Sequence, residues 1–281
     1  MTCRPIWPIV LALVTGTMQA APSGRLPIPG IQGDDDRTLE QRTTYPWGSI
    51  GRLNNTLGPF CTGTLIGPRR VLTAAHCLWN RRTRDWIPPC ALHFLAGYRR
   101  GSYLAHSLVA SYELGGGDAA RQKGPHPSRD WAVLTLAEDL GHALSPLPTL
   151  PLDSTLLPAY QRDGTFVQAG YSRDRPHMLT RNPRCDILGF SNNDRLAQHA
   201  CDATFGDSGS PILLQQGNRF QIVAIHIGIN NRTGRGVAVT GKAFHGWLEG
   251  LEKPGPGGEA IKACRRPATD IYPAPRHRRG S

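Results

Sequence analysis

The stretch His199–Pro211 reads HACDATFGDSGSP, and its second half has the composition of a tight turn around a serine. Gly206 and Gly209 flank the Asp-Ser pair and permit backbone conformations that other residues rarely adopt. Such a turn can expose the Ser208 hydroxyl and point backbone N–H groups inward beside it. The letters GDSG are also common in ordinary surface turns, so the motif needs partners elsewhere in the chain.

Two other motifs supply candidate partners for Ser208. His76 follows an apolar run in VLTAAHC, and Asp130 directly precedes another in SRDWAVLTL. A serine hydroxyl becomes a strong nucleophile when a histidine takes its proton and a carboxylate orients that histidine. The oxyanion formed on a substrate also needs fixed donors, which the N–H groups of Gly206 and Ser208 would supply. Taken singly, His76 also fits a core histidine and Asp130 a strand cap, but the combination predicts nucleophilic catalysis.

The order His76, Asp130, Ser208, with TAAHC and GDSGSP around two of them, resembles the trypsin/chymotrypsin-like serine proteases. The pieces DDDRTLEQ, YPWGSIGRL and AIHIG are similar to the bacterial V8-like, or glutamyl endopeptidase-like, branch. The resemblance implies an all-β fold of two six-stranded antiparallel β-barrels with a C-terminal helix. It also implies a serine endopeptidase that works through an acyl-enzyme and needs no cofactor and no metal.

The distribution of turn residues agrees with an all-β fold. The chain has 281 residues with 32 Gly and 24 Pro, and short apolar runs alternate with turns, which favours a barrel or sandwich over a helical bundle. The Pro-rich segment 144–153 divides the protease domain, about 45–252, into barrel 1 at about 45–145 and barrel 2 at about 150–242. One helix is expected over about 242–252, where apolar residues recur at helical spacing: Phe244, Trp247, Leu248 and Leu251.

The ends of the chain differ from this domain. Residues 1–21 hold a basic start, a short apolar run and small residues, which is the layout of a secretory signal peptide. That run is too short to span a bilayer, so we expect no membrane span. Residues 22–44 are interpreted as a pro-segment or N-terminal arm, and residues 253–281 as a flexible basic tail.

These features predict where the protein acts and on what. The signal peptide predicts a secreted or periplasmic protein, and we expect a monomer that acts on protein or peptide substrates. The formal net charge is +11, which could attract polyanions, but the arginines are scattered and favour a solvated surface. No nucleic acid is expected to be required.

The cysteine count agrees with export. Of seven cysteines, Cys3 would leave with the signal peptide, and an even number in an exported chain predicts disulfides. No short Cys-x-x-Cys pair is present, which argues against zinc. The family resemblance implies a Cys61–Cys77 bond that braces His76 and a Cys185–Cys201 bond before the nucleophile. Cys90 and Cys264 are then paired by elimination.

The resemblance also implies a pocket for the substrate residue before the scissile bond, called P1. Its candidate residues here are Asp202, Ala203, His226 and Ile229. In glutamyl endopeptidases a histidine at the place of His226 binds the substrate carboxylate. Ala203 and Ile229 depart from that pattern, which usually has Thr and a small residue, and a charged Asp202 would repel a Glu side chain. The P1 preference therefore stays open, with acidic residues slightly favoured over basic ones.

Asp207, directly before the nucleophile, raises a separate question. A buried carboxylate needs a cationic partner. That partner could be an Arg side chain, or an N-terminal ammonium freed by a cut after Arg25 or Arg37. The alternative function for the whole chain is a catalytically silent protease fold that serves as a binding protein.

Overall fold

The computed structural model describes residues 28–251 and 261–262. In these residues β-structure dominates, and the three α-helices are α1 Gly117–Lys123, α2 Leu157–Asp163 and α3 Gly241–Leu251. The strands, in chain order, are β1 Thr38–Leu39, β2 Ile50–Asn55, β3 Cys61–Gly67, β4 Arg70–Thr73, β5 Trp79–Asn80, β6 Asp85–Trp86, β7 Leu92–Ala96, β8 Ala105–Leu114, β9 Ala132–Leu136, β10 Thr165–Gly170, β11 Thr180–Asn182, β12 Ile187–Ser191, β13 Leu196–His199, β14 Pro211–Gln216, β15 Arg219–Ile229, β16 Gly236–Thr240 and β17 Ile261–Lys262.

The first half of the chain closes into a six-stranded barrel. Its strands follow the order β2, β3, β4, β9, β8 and β7, and β7 pairs back with β2. Alternate residues of these strands point inward, as the period of a strand requires. They fill the barrel with apolar side chains, among them Leu53, Leu65, Leu92, Phe94 and Leu134. The short strand β17 adds to β8 from outside the ring.

The second half forms an antiparallel sheet with the strand order β10, β14, β15, β16, β13 and β12. Two more short strands, β11 and β1, extend it beyond β10, so this sheet has eight strands where the sequence predicted six. The extra strand β1 comes from the predicted arm, because Thr38 and Leu39 pair with Arg181 and Thr180. The described part of the arm is therefore integrated into the second barrel.

A shared apolar cluster joins the two halves. Trp47 and Trp131, from the first half, are buried in the same cluster as Leu213 and Ile225 from the second. Helix α3 closes it, because the fully buried Phe244 packs edge-on against Trp131 at 6.2 Å between ring centroids. The predicted all-β two-barrel fold with a C-terminal helix is confirmed, and residues from both barrels can meet at a fixed geometry.

Other sequence predictions have mixed outcomes. The structure bonds Cys61 to Cys77 and Cys185 to Cys201. Cys90 is disulfide-bonded, and its expected partner Cys264 lies outside the described residues. The predicted signal peptide also lies outside them, as does the tail apart from residues 261–262. Among the described residues, no helix has the length and apolar character needed to cross a membrane.

The short helices α1 and α2 were not predicted. Each has seven residues, which is too few for an apolar period to emerge.

Candidate active site

His76 and Asp130 meet through two hydrogen bonds. His76 lies on a 3₁₀ turn just after β4, and Asp130 lies just before β9, the neighbour of β4. Asp130 Oδ1 accepts the His76 backbone N–H at 2.7 Å, and Asp130 Oδ2 lies 2.7 Å from His76 Nδ1. A carboxylate only accepts hydrogen bonds, so Nδ1 carries the proton and Nε2 is left as the base. Asp130 is buried, which fixes the orientation of the imidazole.

The turn around Ser208 depends on its two glycines. Gly206 and Gly209 have φ values of +95° and +82°. A Cβ at Gly206 would collide with the Tyr171 carbonyl oxygen, and one at Gly209 with the Thr62 carbonyl oxygen. The Ser208 carbonyl accepts the Thr62 backbone N–H at 2.9 Å, which ties the turn to β3 of the first barrel.

Two amides of this turn are available to a ligand. Within the described part of the chain, the backbone N–H groups of Gly206 and Ser208 donate to no protein acceptor. They belong to the same turn as the Ser208 hydroxyl. The turn therefore offers a hydroxyl and two free N–H donors to one substrate group.

Five of the predicted site residues meet in one cleft of about 780 Å³ between the barrels. His76, Ser208, Gly206, His226 and Ile229 all line it. The cleft therefore collects a base, a hydroxyl and free N–H donors from both halves of the chain.

Asp202 has a different place from the one predicted. The residue is 3% exposed, and its carboxylate accepts the backbone N–H of Gln32 at 2.7 Å and that of Asp36 at 3.3 Å. Asp202 does not line the cleft. Burial raises the pKa of Asp202, against the effect of the two hydrogen bonds. Asp202 was predicted to be a residue of the P1 pocket, and in the structure its carboxylate is engaged by the N-terminal arm.

Ala203 is displaced from the pocket for a related reason. Its N–H donates to the Gly30 carbonyl at 3.1 Å, and the residue is 1% exposed beneath the arm. The next residue, Thr204, lines the cleft instead, and Pro29 of the arm joins it there. A threonine therefore lines the cleft one position after Ala203.

His199 is a site residue that the sequence analysis missed. Its Nε2 lies 3.0 Å from His226 Nδ1, and its Nδ1 accepts the Cys201 backbone N–H at 3.2 Å. Strand β16 lies between these histidines, and the ring of His199 occupies the space where Gly236 has no side chain. The sequence feature that could have revealed this contact is a histidine that packs over a glycine of the neighbouring strand. That feature can be recognised only when the strand register is known.

The hydrogen bonds fix the tautomers of both histidines. Burial lowers the pKa of His199 to about 3 and holds the pKa of His226 well below its usual value, where His199 and His76 lower it further. Both rings are therefore neutral. Because Cys201 donates to His199 Nδ1, the His199 proton is on Nε2 and points at His226 Nδ1. The proton of His226 must then be on Nε2, as a donor.

Asp207 is fully buried beside Ser208 and has no cationic hydrogen-bond partner within the described residues. Its Oδ2 accepts Ser172 Oγ and the Thr204 N–H, each at 2.8 Å. Burial raises the pKa of Asp207 to about 6. The Arg37 charge lowers that pKa only at longer range, because its guanidinium binds Asp35 and Asp174 instead. The expected cationic contact is thus replaced by neutral donors.

Neither cluster of potential metal ligands in the described residues offers free thiolates. Each cluster combines a histidine with two cysteines that are bonded to each other: Cys61, His76 and Cys77, and Cys185, His199 and Cys201. A disulfide sulfur is not the thiolate that binds zinc.

Comparisons with known proteins agree with this geometry. The family model described as trypsin-like peptidase domain matches residues 61–225, more than half of the chain. A glutamyl endopeptidase of Bacillus licheniformis is 28% identical over 196 residues, which are 68% of this chain and 57% of that protein. The chain thus spans about 57% of the length of this curated relative.

A solved structure shares the fold. It is described as a Glu endopeptidase in complex with MPD, and it superposes with a TM-score of 0.63 at 22% identity. The match covers 79% of this chain and 97% of that one. The predicted resemblance is confirmed at the level of family and fold: the chain belongs to the trypsin-like peptidase domain family.

Proposed function

We propose that the protein is a serine endopeptidase with Ser208 as nucleophile, His76 as base and Asp130 as the group that orients the base. One observation carries this proposal: His76, which Asp130 holds by a hydrogen bond, lines the same cleft as the Ser208 turn with its free amides. In the family that the chain belongs to, these are the parts that acyl transfer requires.

The mechanism follows from the roles of these atoms. Ser208 Oγ attacks the scissile carbonyl carbon while His76 Nε2 takes its proton. The carbonyl oxygen becomes an oxyanion, and the N–H groups of Gly206 and Ser208 stabilise it. The imidazolium then gives the proton to the departing nitrogen, and the C–N bond breaks. This leaves the acyl group bonded to Ser208 Oγ as an acyl-enzyme. A water molecule then attacks the acyl carbon while His76 Nε2 takes its proton. His76 returns that proton to Ser208 Oγ as the ester bond breaks, which releases the acid.

An acidic P1 residue is the second part of the proposal. The neutral His226 carries its proton on Nε2, which is a donor suited to a carboxylate on the substrate. His226 lines the cleft together with Thr204, whereas Asp202 faces the arm and adds no negative charge to this pocket. The arrangement therefore favours Glu or Asp at P1 over Lys or Arg.

Export is the third part. The disulfides Cys61–Cys77 and Cys185–Cys201 fit an oxidising compartment, and residues 1–21 have the composition of a signal peptide. A secreted or periplasmic location follows. Recovery of the mature chain outside the cytoplasm, with a new N-terminus near residue 21, is the result we expect; a full-length chain retained in the cytoplasm would contradict it.

A fluorophosphonate probe tests the catalytic proposal, because it labels only an activated serine. The mature wild-type chain should be labelled and Ser208→Ala should not. Ser154→Ala is the control, because Ser154 is exposed and lies outside the Ser208 turn. This variant should be labelled like the wild type. Labelling of Ser208→Ala would assign the reactive nucleophile to another residue, and a folded wild type that is never labelled would favour the silent binding protein.

A further inference from the structure

We propose that the cleft contains a cationic subsite, built by Arg81, Arg82 and Arg173, for acidic residues on the leaving-group side of the scissile bond. The subsite rests on the proposed endopeptidase function and extends it. The substrate would then be an acidic stretch that continues beyond P1.

The charge of the cleft is one-sided. Among the described residues that line it, these three arginines are the only ones with a permanent charge, and no Asp or Glu is present. All three are exposed, and none forms an ion pair with a carboxylate of the described chain. A planar guanidinium with free N–H groups is well matched to a carboxylate.

The hairpin that carries Arg81 and Arg82 is held in place. Its strands β5 and β6 pair Trp79 with Trp86, whose rings pack edge-on at 4.9 Å between centroids. Asn80 Oδ1 accepts the Arg82 N–H at 3.0 Å, and the Asn80 carbonyl accepts a backbone N–H from the far side of the turn at 2.8 Å. The backbone of both arginines is thus positioned before a ligand arrives, which lowers the entropy lost on binding.

Arg173 lines the cleft from the second half of the chain. Its N–H donates to the Phe205 carbonyl at 2.6 Å, and its guanidinium carbon lies 5.9 Å from the centroid of the Phe205 ring. Phe205 is 61% exposed and directly precedes the proposed oxyanion donor Gly206. Positive charge therefore lines the cleft from both halves of the chain.

The hairpin is on the side of the leaving group. The proposed P1 pocket consists of Thr204 and residues 226–229, which belong to the second barrel. Arg81 and Arg82 follow Cys77 in the first barrel, next to His76, which protonates the departing nitrogen. A peptide with P1 in the pocket must pass its next residues by the His76 side of the cleft. There it meets the arginines.

Paired peptides measure this preference. Both carry Glu at P1, and the residues after the scissile bond are Asp-Glu in one and Asn-Gln in the other. Exposed ion pairs are weak individually, so we expect the wild type to have a kcat/KM about three- to tenfold higher for the acidic peptide. The ratio should fall between about 20 mM and about 500 mM salt, because exposed charges are screened.

The double variant Arg81→Gln/Arg82→Gln should bring the ratio close to one while the neutral peptide is still cleaved. Arg84→Gln/Arg162→Gln is the matched control, since it removes the same charge from exposed positions that do not line the cleft. Equal ratios in the wild type and both double variants would overturn the subsite but leave the peptidase intact. Cleavage of neither peptide by the wild type would overturn the proposed function and the subsite with it.

Discussion

Asp202 Oδ1 lies 2.7 Å from the backbone nitrogen of Gln32, and this bond holds the N-terminal arm against the second barrel. The same carboxylate accepts the Asp36 N–H at 3.3 Å, and the Gly30 carbonyl accepts the Ala203 N–H. Together these bonds place Pro29 at the cleft. Asp202 therefore reaches the cleft only through the arm, because its own carboxylate does not line it.

Replacing this carboxylate should cost stability and leave the P1 preference unchanged. Asp202→Asn keeps only one oxygen acceptor, so one arm N–H loses its buried partner, at a cost of about 1–3 kcal/mol in the free energy of unfolding. Denaturant unfolding of the variant in a Ser208→Ala background measures this cost without self-digestion. Asp186→Asn, at an exposed position, is the control. A changed ratio of cleavage after Glu and after Lys in Asp202→Asn would return Asp202 to the pocket.

The carboxylate of Asp130 should be essential to the rate. Asp130→Asn keeps the shape but cannot accept both from His76 N–H and from Nδ1–H, so the imidazole loses its tautomer. We expect kcat to fall about 10⁴-fold with KM nearly unchanged. Asp163→Asn, an exposed change at the end of α2, should keep full activity. A variant Asp130→Asn within tenfold of the wild type would be inconsistent with the proposed triad.

Selectivity for an acidic P1 should depend on His226. Its Nε2–H would donate to a carboxylate, and a hydrogen bond to a charged group contributes about 1.5–3 kcal/mol. In His226→Ala, the ratio of kcat/KM for P1 Glu over P1 Gln should therefore drop roughly 10- to 100-fold. Because the measurement is a ratio, it does not depend on how much of the variant is folded. His142→Ala, at an exposed histidine, should leave the ratio intact, and an unchanged ratio in His226→Ala would refute this assignment.

The buried histidines should make the fold sensitive to acid. Burial lowers the pKa of His199 to about 3, whereas an unfolded histidine titrates near its model value of 6.5. Between these two pH values the unfolded chain binds more protons than the folded chain, so the free energy of unfolding rises with pH. The stability that the neutral His199 contributes is therefore present above pH 6.5 and is lost as the pH falls towards 3.

His199→Gln in the Ser208→Ala background isolates this effect, since Gln does not titrate but can still donate to His226. Thermal melts between about pH 4 and about pH 7 should show a shallower rise of Tm with pH for His199→Gln than for the parent. Asp207 has the opposite effect on the dependence of Tm on pH, because burial raises its pKa to about 6. Since Asp207 is present in both the variant and the parent, its effect cancels in the comparison. Identical slopes would contradict the lowered pKa, because His199 would then bind its proton equally well in the folded and the unfolded chain.

The sequence predicted the parts of this protein that depend on local motifs. The strand runs and the helix of Phe244 could be found, and His76, Asp130 and Ser208 could be chosen as candidates, because each depends on a few adjacent residues. The eight-stranded second sheet could not, because β1 forms only when residues far along the chain, Thr180 and Arg181, offer it an edge.

The pocket was harder to predict for the same reason. Asp202 has the spacing of a specificity residue, but which way a carboxylate turns depends on the backbone N–H of Gln32, about 170 residues away. His199 became part of the site only through the register that sets it across Gly236 from His226. Spacing along the chain located the candidate catalytic residues, and long-range pairing determined what surrounds them.

The most direct test is a cleavage-site profile of the mature chain on an unbiased peptide library, with Ser208→Ala as the blank. The account predicts cuts that require Ser208 and that follow Glu or Asp. Cuts that follow Lys or Arg, or a wild-type profile that matches the Ser208→Ala blank, would contradict it.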